Sequence, residues 1–150
     1  MTQLLMVCLG NICRSPTAEG AVRQALARHG LTHVTVQSAG TGSHHQGDRA
    51  DSRTISHAKR RGIDLDSHRA RGLVPEDFVR FDYVFAMDTQ NQSTLIARCP
   101  ETLRSKIFMF LGDQIVPDPY YEGPDAFEHV LDLCEQGAER VVSMLKTAAR

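Results

Sequence analysis

The chain has 150 residues, 41% of them hydrophobic and 23% charged, with 11 Gly, 6 Pro, 4 Cys and no Trp, the composition of an ordinary globular chain. At this length a chain buries about 68–70% of its unfolded surface on folding, so a core can form without disulfide or metal staples and one domain over residues 1–150 is expected. Lys and Arg number 17 against 18 Asp and Glu, a formal net charge of -1, which excludes the broad positive footprint of a general nucleic-acid binder and makes any anion site a local one.

Leu4 to Cys8 is an apolar run without alternation, which predicts a strand covered on both faces, and Gly10-Asn11 follows at once. Ser15 reads as an N-cap and Pro16 as the first helical position; Ala18, Ala21, Val22, Ala25 and Leu26 then share one face until Gly30. Val34 to Ser38 is a second strand, and Ala50 to Arg61 a weaker helix closed by Gly62. Tyr83 to Met87 predicts another buried strand, Thr89 to Arg98 a helix and Ile107 to Leu111 a fourth strand. From Phe127 onward Val130, Leu131, Cys134, Ala138, Val141 and Leu145 keep helical spacing, which predicts a long amphipathic helix lying over the sheet. This alternation argues for a three-layer α/β fold around a parallel sheet of about four strands with right-handed crossovers.

No internal repeat, low-complexity tract or linker divides the chain. No run of 18 apolar residues occurs, and the opening MTQLLMVC lacks the basic start and long apolar stretch of a signal peptide. Cys8, Cys13, Cys99 and Cys134 are too few and too unevenly spaced for a secreted disulfide framework. A cytoplasmic protein is expected. Two polar stretches, Gly40 to Arg49 with His44 and His45, and Val116 to Gly123, are expected on the surface. Both follow strands, where open parallel sheets bind ligands.

The segment Cys8-Leu9-Gly10-Asn11-Ile12-Cys13-Arg14-Ser15 puts a thiol at the end of a buried strand and an arginine at the start of a helix. That arrangement suits a phosphate: successive backbone N–H groups form a nest, the helix N-terminus adds positive charge, and Arg14 offers a planar fork. The same field favours a thiolate on Cys8, and Ser15 is placed to donate a hydrogen bond to its sulfur. The plainer reading, a buried thiol beside a surface arginine, leaves the Gly-Asn turn, the arginine and the Ser-Pro start unexplained. Asp118 taken alone reads as a turn residue, although Pro117 and Pro119 would hold its carboxyl in place at little entropic cost. Metal ligation by Cys8, Cys13, His44 and His45 lacks the close Cys pair of common zinc sites and would quench the nucleophile, so no metal is expected. Cys99 and Cys134 read as structural thiols. Lys59-Arg60-Arg61 reads as a solvated helix end, and His29, His33, His57 and His129 as surface residues.

The run Val7 to Pro16, with Ala18-Glu19 behind it, resembles the N-terminal signature of the low molecular weight protein-tyrosine phosphatases. Further matches are Ser38-Ala39-Gly40-Thr41, the segment Asp64 to Arg71 with His68-Arg69-Ala70-Arg71, Met87-Asp88 followed by Asn91, and Asp118-Pro119-Tyr120-Tyr121. They follow the family's order through the chain. The resemblance implies a flavodoxin-like fold with four parallel strands and a metal-independent protein-tyrosine phosphatase that needs no cofactor. It implies that Cys8 attacks phosphorus to form a phosphocysteine, that Arg14 and the loop of Leu9, Gly10, Asn11, Ile12, Cys13 and Ser15 hold the phosphate, and that Asp118 is general acid and then base. It also implies a left-handed Asn11 that ties the loop, and a polar network of Ser15, Ser38 and His68. Tyr120 and Tyr121 would form the aromatic walls, with His44 on the opposite rim where several relatives carry Trp or Tyr. The expected partner is a phosphotyrosine protein, with phosphate or another oxyanion in the site; neither nucleic acid nor membrane insertion is expected, and the chain is expected to be a monomer.

Because Cys8 and Cys13 share one tight loop, a sulfenic acid on Cys8 could be captured by Cys13 as a disulfide; the alternative is that Cys13 only packs against the sheet. Two rival activities stand beside the phosphotyrosine reading. A thiol-dependent arsenate reductase would need two further neighbouring cysteines, whereas Cys99 and Cys134 lie far apart in the chain. A phosphoarginine phosphatase of the same superfamily would carry Thr where this chain has Ile12.

Overall fold

A computed structural model describes residues 1–149. Strands β1 (Thr2–Cys8), β2 (Val34–Gly40), β3 (Tyr83–Ala86) and β4 (Ile107–Met109) form one parallel sheet in the order β2-β1-β3-β4. Helices cover both faces, and for that reason Leu4 to Cys8 are buried without alternation. The two-residue period of β1 sends Leu4, Met6 and Cys8 into one layer and Leu5 and Val7 into the other. Full burial of each such aliphatic side chain contributes about 1.5–3 kcal/mol of transfer free energy, which makes β1 the anchor of the sheet.

The layer that receives Cys8 contains α1 (Arg14–Arg28) and α5 (Pro124–Ala148), packed against each other. Ala18, Ala21, Val22 and Ala25 on α1 face Val130, Leu131, Cys134, Ala138 and Val141 on α5 within one core cluster. A Cβ at Gly137 of α5 would stand 2.4 Å from the ring of the fully buried Phe110. Glycine costs a helix interior about 1 kcal/mol, and here it makes room for that ring. The other layer holds α3 (Asp77–Arg80) and α4 (Thr89–Arg98), with Phe78, Phe81, Leu95 and Cys99 under Leu5, Val7 and Val84. A shorter α2 (Ser52–Lys59) packs on α5 outside the sheet. Among the described residues no helix is long and apolar enough to cross a membrane.

The strands and the four longer helices lie where hydrophobic patterning places them, and the differences have local causes. α1 starts at Arg14 with Cys13 as N-cap and no side-chain cap bond. Ser15 is therefore the second helical residue and Pro16 the third, not cap and first position; the Ser15 hydroxyl is turned to Cys8 instead. α2 starts after Asp51, whose carboxylate accepts the Arg53 N–H, rather than at Ala50. α3 and the 3-10 turn Glu101–Lys106 are too short to show a periodicity. His57 is buried, not on the surface: it stacks on Phe127, with ring centres 5.7 Å apart, and its Nδ1 contacts Glu128. Arg61 is not simply solvated, because its guanidinium reaches Glu128, Asp132 and Glu135 on α5. Both corrections have one origin, since α5 lies more than sixty residues downstream and its carboxylates meet α2 only after folding.

Candidate active site

All four strands end on the same side of the sheet, and the residues after them meet there. β1 and β2 finish together, with Cys8 paired to Gly40. A Cβ on Gly40 would lie 2.7 Å from the Leu9 carbonyl oxygen, so only glycine lets β2 approach the loop that closely.

The loop from Leu9 to Cys13 is turned inside out relative to an ordinary turn. The Cys8 carbonyl accepts from Thr41 N–H at 2.9 Å, Leu9 from Gly42 at 2.9 Å, and Ile12 from Asp51 at 2.9 Å. The Asn11 carbonyl accepts from His68 Nε2 at 2.8 Å. With its carbonyls held from outside, the loop directs its amides inward, and the N–H groups of Gly10, Ile12 and Cys13 have no acceptor among the described residues. Together with the uncapped start of α1 they make a concave nest for an anion.

Asn11 holds this shape. It is fully buried with φ +58°, a left-handed conformation that asparagine tolerates better than most side chains. Its Nδ2 donates to Ser15 Oγ at 2.8 Å and Ser38 Oγ at 3.0 Å, and its Oδ1 accepts from Arg71 N–H at 3.0 Å. Because Ser15 Oγ accepts from Asn11, its own proton is free for Cys8 Sγ, 2.9 Å away. The sulfur also accepts from Asn11 N–H at 3.3 Å. Two donors on one buried sulfur suit a thiolate. Behind them Ser38 Oγ donates to Glu19 Oε1 at 2.6 Å, and His68 Nδ1 lies 3.9 Å from the same carboxylate.

Arg14 is buried, with its Nη1 donating to Asp88 Oδ2 at 2.6 Å and to the Val116 carbonyl at 3.2 Å. Nη1 is thereby used up, and Nη2 and Nε remain for an anion. Burial works against the charge of Arg14, but Cys8, Asp88 and Asp118 outweigh it and raise its pKa further. Asp88 serves twice: its other oxygen caps α4 by accepting Asn91 N–H at 2.7 Å. Val116, expected at the surface, is fully buried; its N–H bonds to the Met87 carbonyl, and this starts the acid-bearing loop at a defined place.

Cys8, Leu9, Gly10, Ile12, Cys13, Arg14, His44, His45, Asp118, Tyr120 and Tyr121 line one cleft of about 240 Å³. Asp118 stands across it from the nest, half-exposed, with Oδ2 4.0 Å from Arg14 Nη2. Its Oδ1 accepts from Tyr120 N–H at 3.1 Å. Tyr120 is partly buried against Ile12, Cys13, Ala70 and Phe127, while Tyr121 is exposed and meets the Tyr120 ring edge-on at 4.9 Å. His44 lies on the opposite rim beside His45, ring centres 5.2 Å apart. Cys13 is buried at the back of the loop, and burial pushes its thiol up to about 12. Ser38 and His68 lie behind the nest rather than in the cleft, as the polar network requires.

Sequence reasoning noted Glu19 and Asp88 only within motif matches, with no role for either, and weighed His45 only as a metal ligand. Glu19 could have been found from its position one helical turn after Ser15 on α1. Asp88 carries a capping signal, a carboxylate before Thr89 with Asn91 following, but nothing local reveals its second bond to Arg14.

A family model for the low molecular weight phosphotyrosine protein phosphatases matches residues 3–150. The low molecular weight phosphotyrosine protein phosphatase of Schizosaccharomyces pombe is 44% identical over 134 residues, 83% of this chain and 85% of that protein. A protein tyrosine phosphatase from Entamoeba histolytica, solved with Hepes in the active site, superposes with a TM-score of 0.95 over 100% of both chains at 42% identity. Vibrio vulnificus Wzb in complex with benzylphosphonate gives a TM-score of 0.87 at 30% identity, over 95% of this chain and 98% of that one. With the family model spanning residues 3–150 and relatives 44% and 42% identical over most of their length, the chain belongs to the low molecular weight phosphotyrosine protein phosphatases, which are phosphoric monoester hydrolases.

Proposed function

We propose that residues 1–150 act as one catalytic domain that hydrolyses phosphotyrosine in proteins through a phosphocysteine. The observation that carries this reading is the opposition of Cys8 and Asp118 across one cleft, with Arg14 and the inward amides between them. In the first step the Cys8 thiolate attacks phosphorus in line, the bond from phosphorus to the phenolic oxygen breaks, and Asp118 gives its proton to that oxygen. Arg14 and the nest hold the three nonbridging oxygens with donors already aimed at the charge that the transition state carries. In the second step water attacks phosphorus, Asp118 takes its proton, and the bond to sulfur breaks. Ser15 donates to the departing thiolate. No metal enters this scheme, because Arg14 and the amides supply the positive charge.

Tyr120 and Tyr121 give the ring of a phosphotyrosine two aromatic surfaces, and His44 faces it from the other rim. Cys99 and Cys134 sit on opposite faces of the sheet, which is unfavourable for the thiol relay of an arsenate reductase. The reading places the enzyme in the cytoplasm, where its four free cysteines stay reduced. Phosphotyrosine and phosphoarginine peptides compared in one preparation, alongside arsenate reduction with added thiol, test it. Release of phosphate from phosphotyrosine is expected to dominate. Faster phosphoarginine cleavage or thiol-dependent arsenate reduction would overturn it.

We further infer that Cys13 protects the nucleophile. A sulfenic acid formed on Cys8 by peroxide condenses with the Cys13 thiol, releasing water and forming a disulfide that a thiol reductant reopens. After peroxide and then reductant, wild type is expected to regain activity and Cys13→Ser to stay inactive. Equal recovery, or no linked peptide by mass spectrometry, would show that Cys13 only packs.

A further inference from the structure

Arg53 lies on the first turn of α2, outside the phosphate nest, and the scheme above gives it no part. Its guanidinium carbon is 4.6 Å from the ring centre of Phe127 and 5.4 Å from that of Tyr120, within the range at which a ring face attracts a cation. Asp51 grips the same group at two points, Nε to Oδ1 at 3.0 Å and Nη2 to Oδ2 at 2.8 Å. Such a fork fixes direction as well as distance. The hydrogen bond from Arg53 also holds the Asp51 carboxyl below its usual range, so the grip lasts to lower pH than a free aspartate would allow.

Both ends of this arrangement reach the chemistry. Asp51 donates its N–H to the Ile12 carbonyl of the nest. Tyr120, whose ring rests against Arg53, donates its N–H to Asp118 Oδ1. Among the described residues that is the only hydrogen bond the Asp118 side chain makes. The carboxyl that must meet the leaving oxygen is therefore located by Tyr120, and Tyr120 is held by Arg53 on one side and the Phe127 cluster on the other.

We propose that Arg53 is a positioning residue for the general acid, setting the distance between Asp118 and the phosphate nest through the Tyr120 ring. The proposal rests on the hydrolytic reading and assigns a role within it. A general acid must lie within hydrogen-bond reach of the atom it protonates. Without Arg53 the Tyr120 ring keeps the Phe127 cluster and the edge of the exposed Tyr121 ring but loses its cation contact, and the Asp118 carboxyl spends less time in reach. Lysine does not replace it, because an ammonium cannot lie flat against two rings while gripping a carboxylate at two points.

The test is the rate on phenyl phosphate, a poor leaving group, against p-nitrophenyl phosphate, a good one, for Arg53→Ala and Arg53→Lys. Each is measured alone and with Asp118→Asn, with vanadate affinity and Tm recorded for every variant. Misplacement of the acid is expected to lower kcat/KM on phenyl phosphate by about tenfold or more and to spare p-nitrophenyl phosphate and vanadate binding. With Asp118→Asn already present, neither Arg53 substitution is expected to cost anything further on phenyl phosphate. Equal losses on the two esters, a parallel loss of vanadate affinity, or an additive loss beside Asp118→Asn would show that Arg53 only braces α2. If Asp118→Asn does not itself discriminate between the esters, its role as acid falls and this inference falls with it. If Asp118→Asn discriminates and the Arg53 variants do not, the inference alone falls.

Discussion

Cys8→Ser is expected to abolish turnover while leaving the anion site intact. The smaller hydroxyl fits without strain, and the nest is built from backbone held by Thr41, Gly42, Asp51 and His68, none of which depends on the thiol. A serine hydroxyl beside Ser15 has no base to take its proton and stays a poor nucleophile at neutral pH. The rate should fall by about 10⁴-fold or more, the scale on which hydrolases respond to losing a covalent nucleophile. Vanadate or phosphate titrated calorimetrically should bind within a few-fold of wild type. Appreciable steady-state turnover by Cys8→Ser would remove Cys8 from the mechanism, and loss of anion binding at unchanged Tm would mean that the sulfur, not the amides, shapes the nest.

Asp118→Asn should separate substrates by their leaving groups. The amide keeps the size of the side chain and can still accept from Tyr120 N–H, so the loop between Pro117 and Pro119 has no reason to move. It cannot supply a proton. Phenyl phosphate should lose about 10²–10⁴ in rate, the usual worth of general acid catalysis, whereas p-nitrophenyl phosphate, whose phenolate leaves without protonation, should lose much less in the first step. Rapid-mixing kinetics should then show a burst of nitrophenolate, because hydrolysis of the phosphocysteine has lost its base. An equal fall on both esters with no burst would make Asp118 a structural residue and leave the acid unassigned.

Arg14 shows why the two halves of the site depend on each other. One of its terminal nitrogens is spent on Asp88 and on the Val116 carbonyl, so the arginine facing the nest is held by the start of α4 and by the base of the acid loop. A chain read in order can show an arginine at a helix start with a thiol before it. It cannot show that residues 74 and 102 positions downstream hold its guanidinium in place.

The same division runs through the whole molecule. Local physics was enough for the strands and the longer helices, because a strand buried on both faces has to be apolar throughout and an amphipathic helix has to repeat its apolar positions. It was enough also for the nest, since Cys8, Gly10-Asn11, Arg14 and the start of α1 are contiguous and their geometry follows from short-range backbone constraints. Asp118 became legible through its motif, as its own surroundings are those of a turn. Hidden were the groups whose roles are created by contacts distant in sequence: Asp88 under Arg14, Glu19 behind Ser38, His57 and Arg61 against α5, and Arg53 between two rings. The bond from Ser15 to Cys8 was legible and only its reading as a cap failed, since the sulfur seven residues earlier claims the hydroxyl that a cap would use. Contiguous residues were enough for the layers, the nest and the place of Cys8 within it, because periodicity and short turns are local. How Arg14 is aimed and how Tyr120 meets Asp118 and Arg53 follow from packing alone, because those distances exist only once α2, α4 and α5 have closed around the carboxyl ends of the strands.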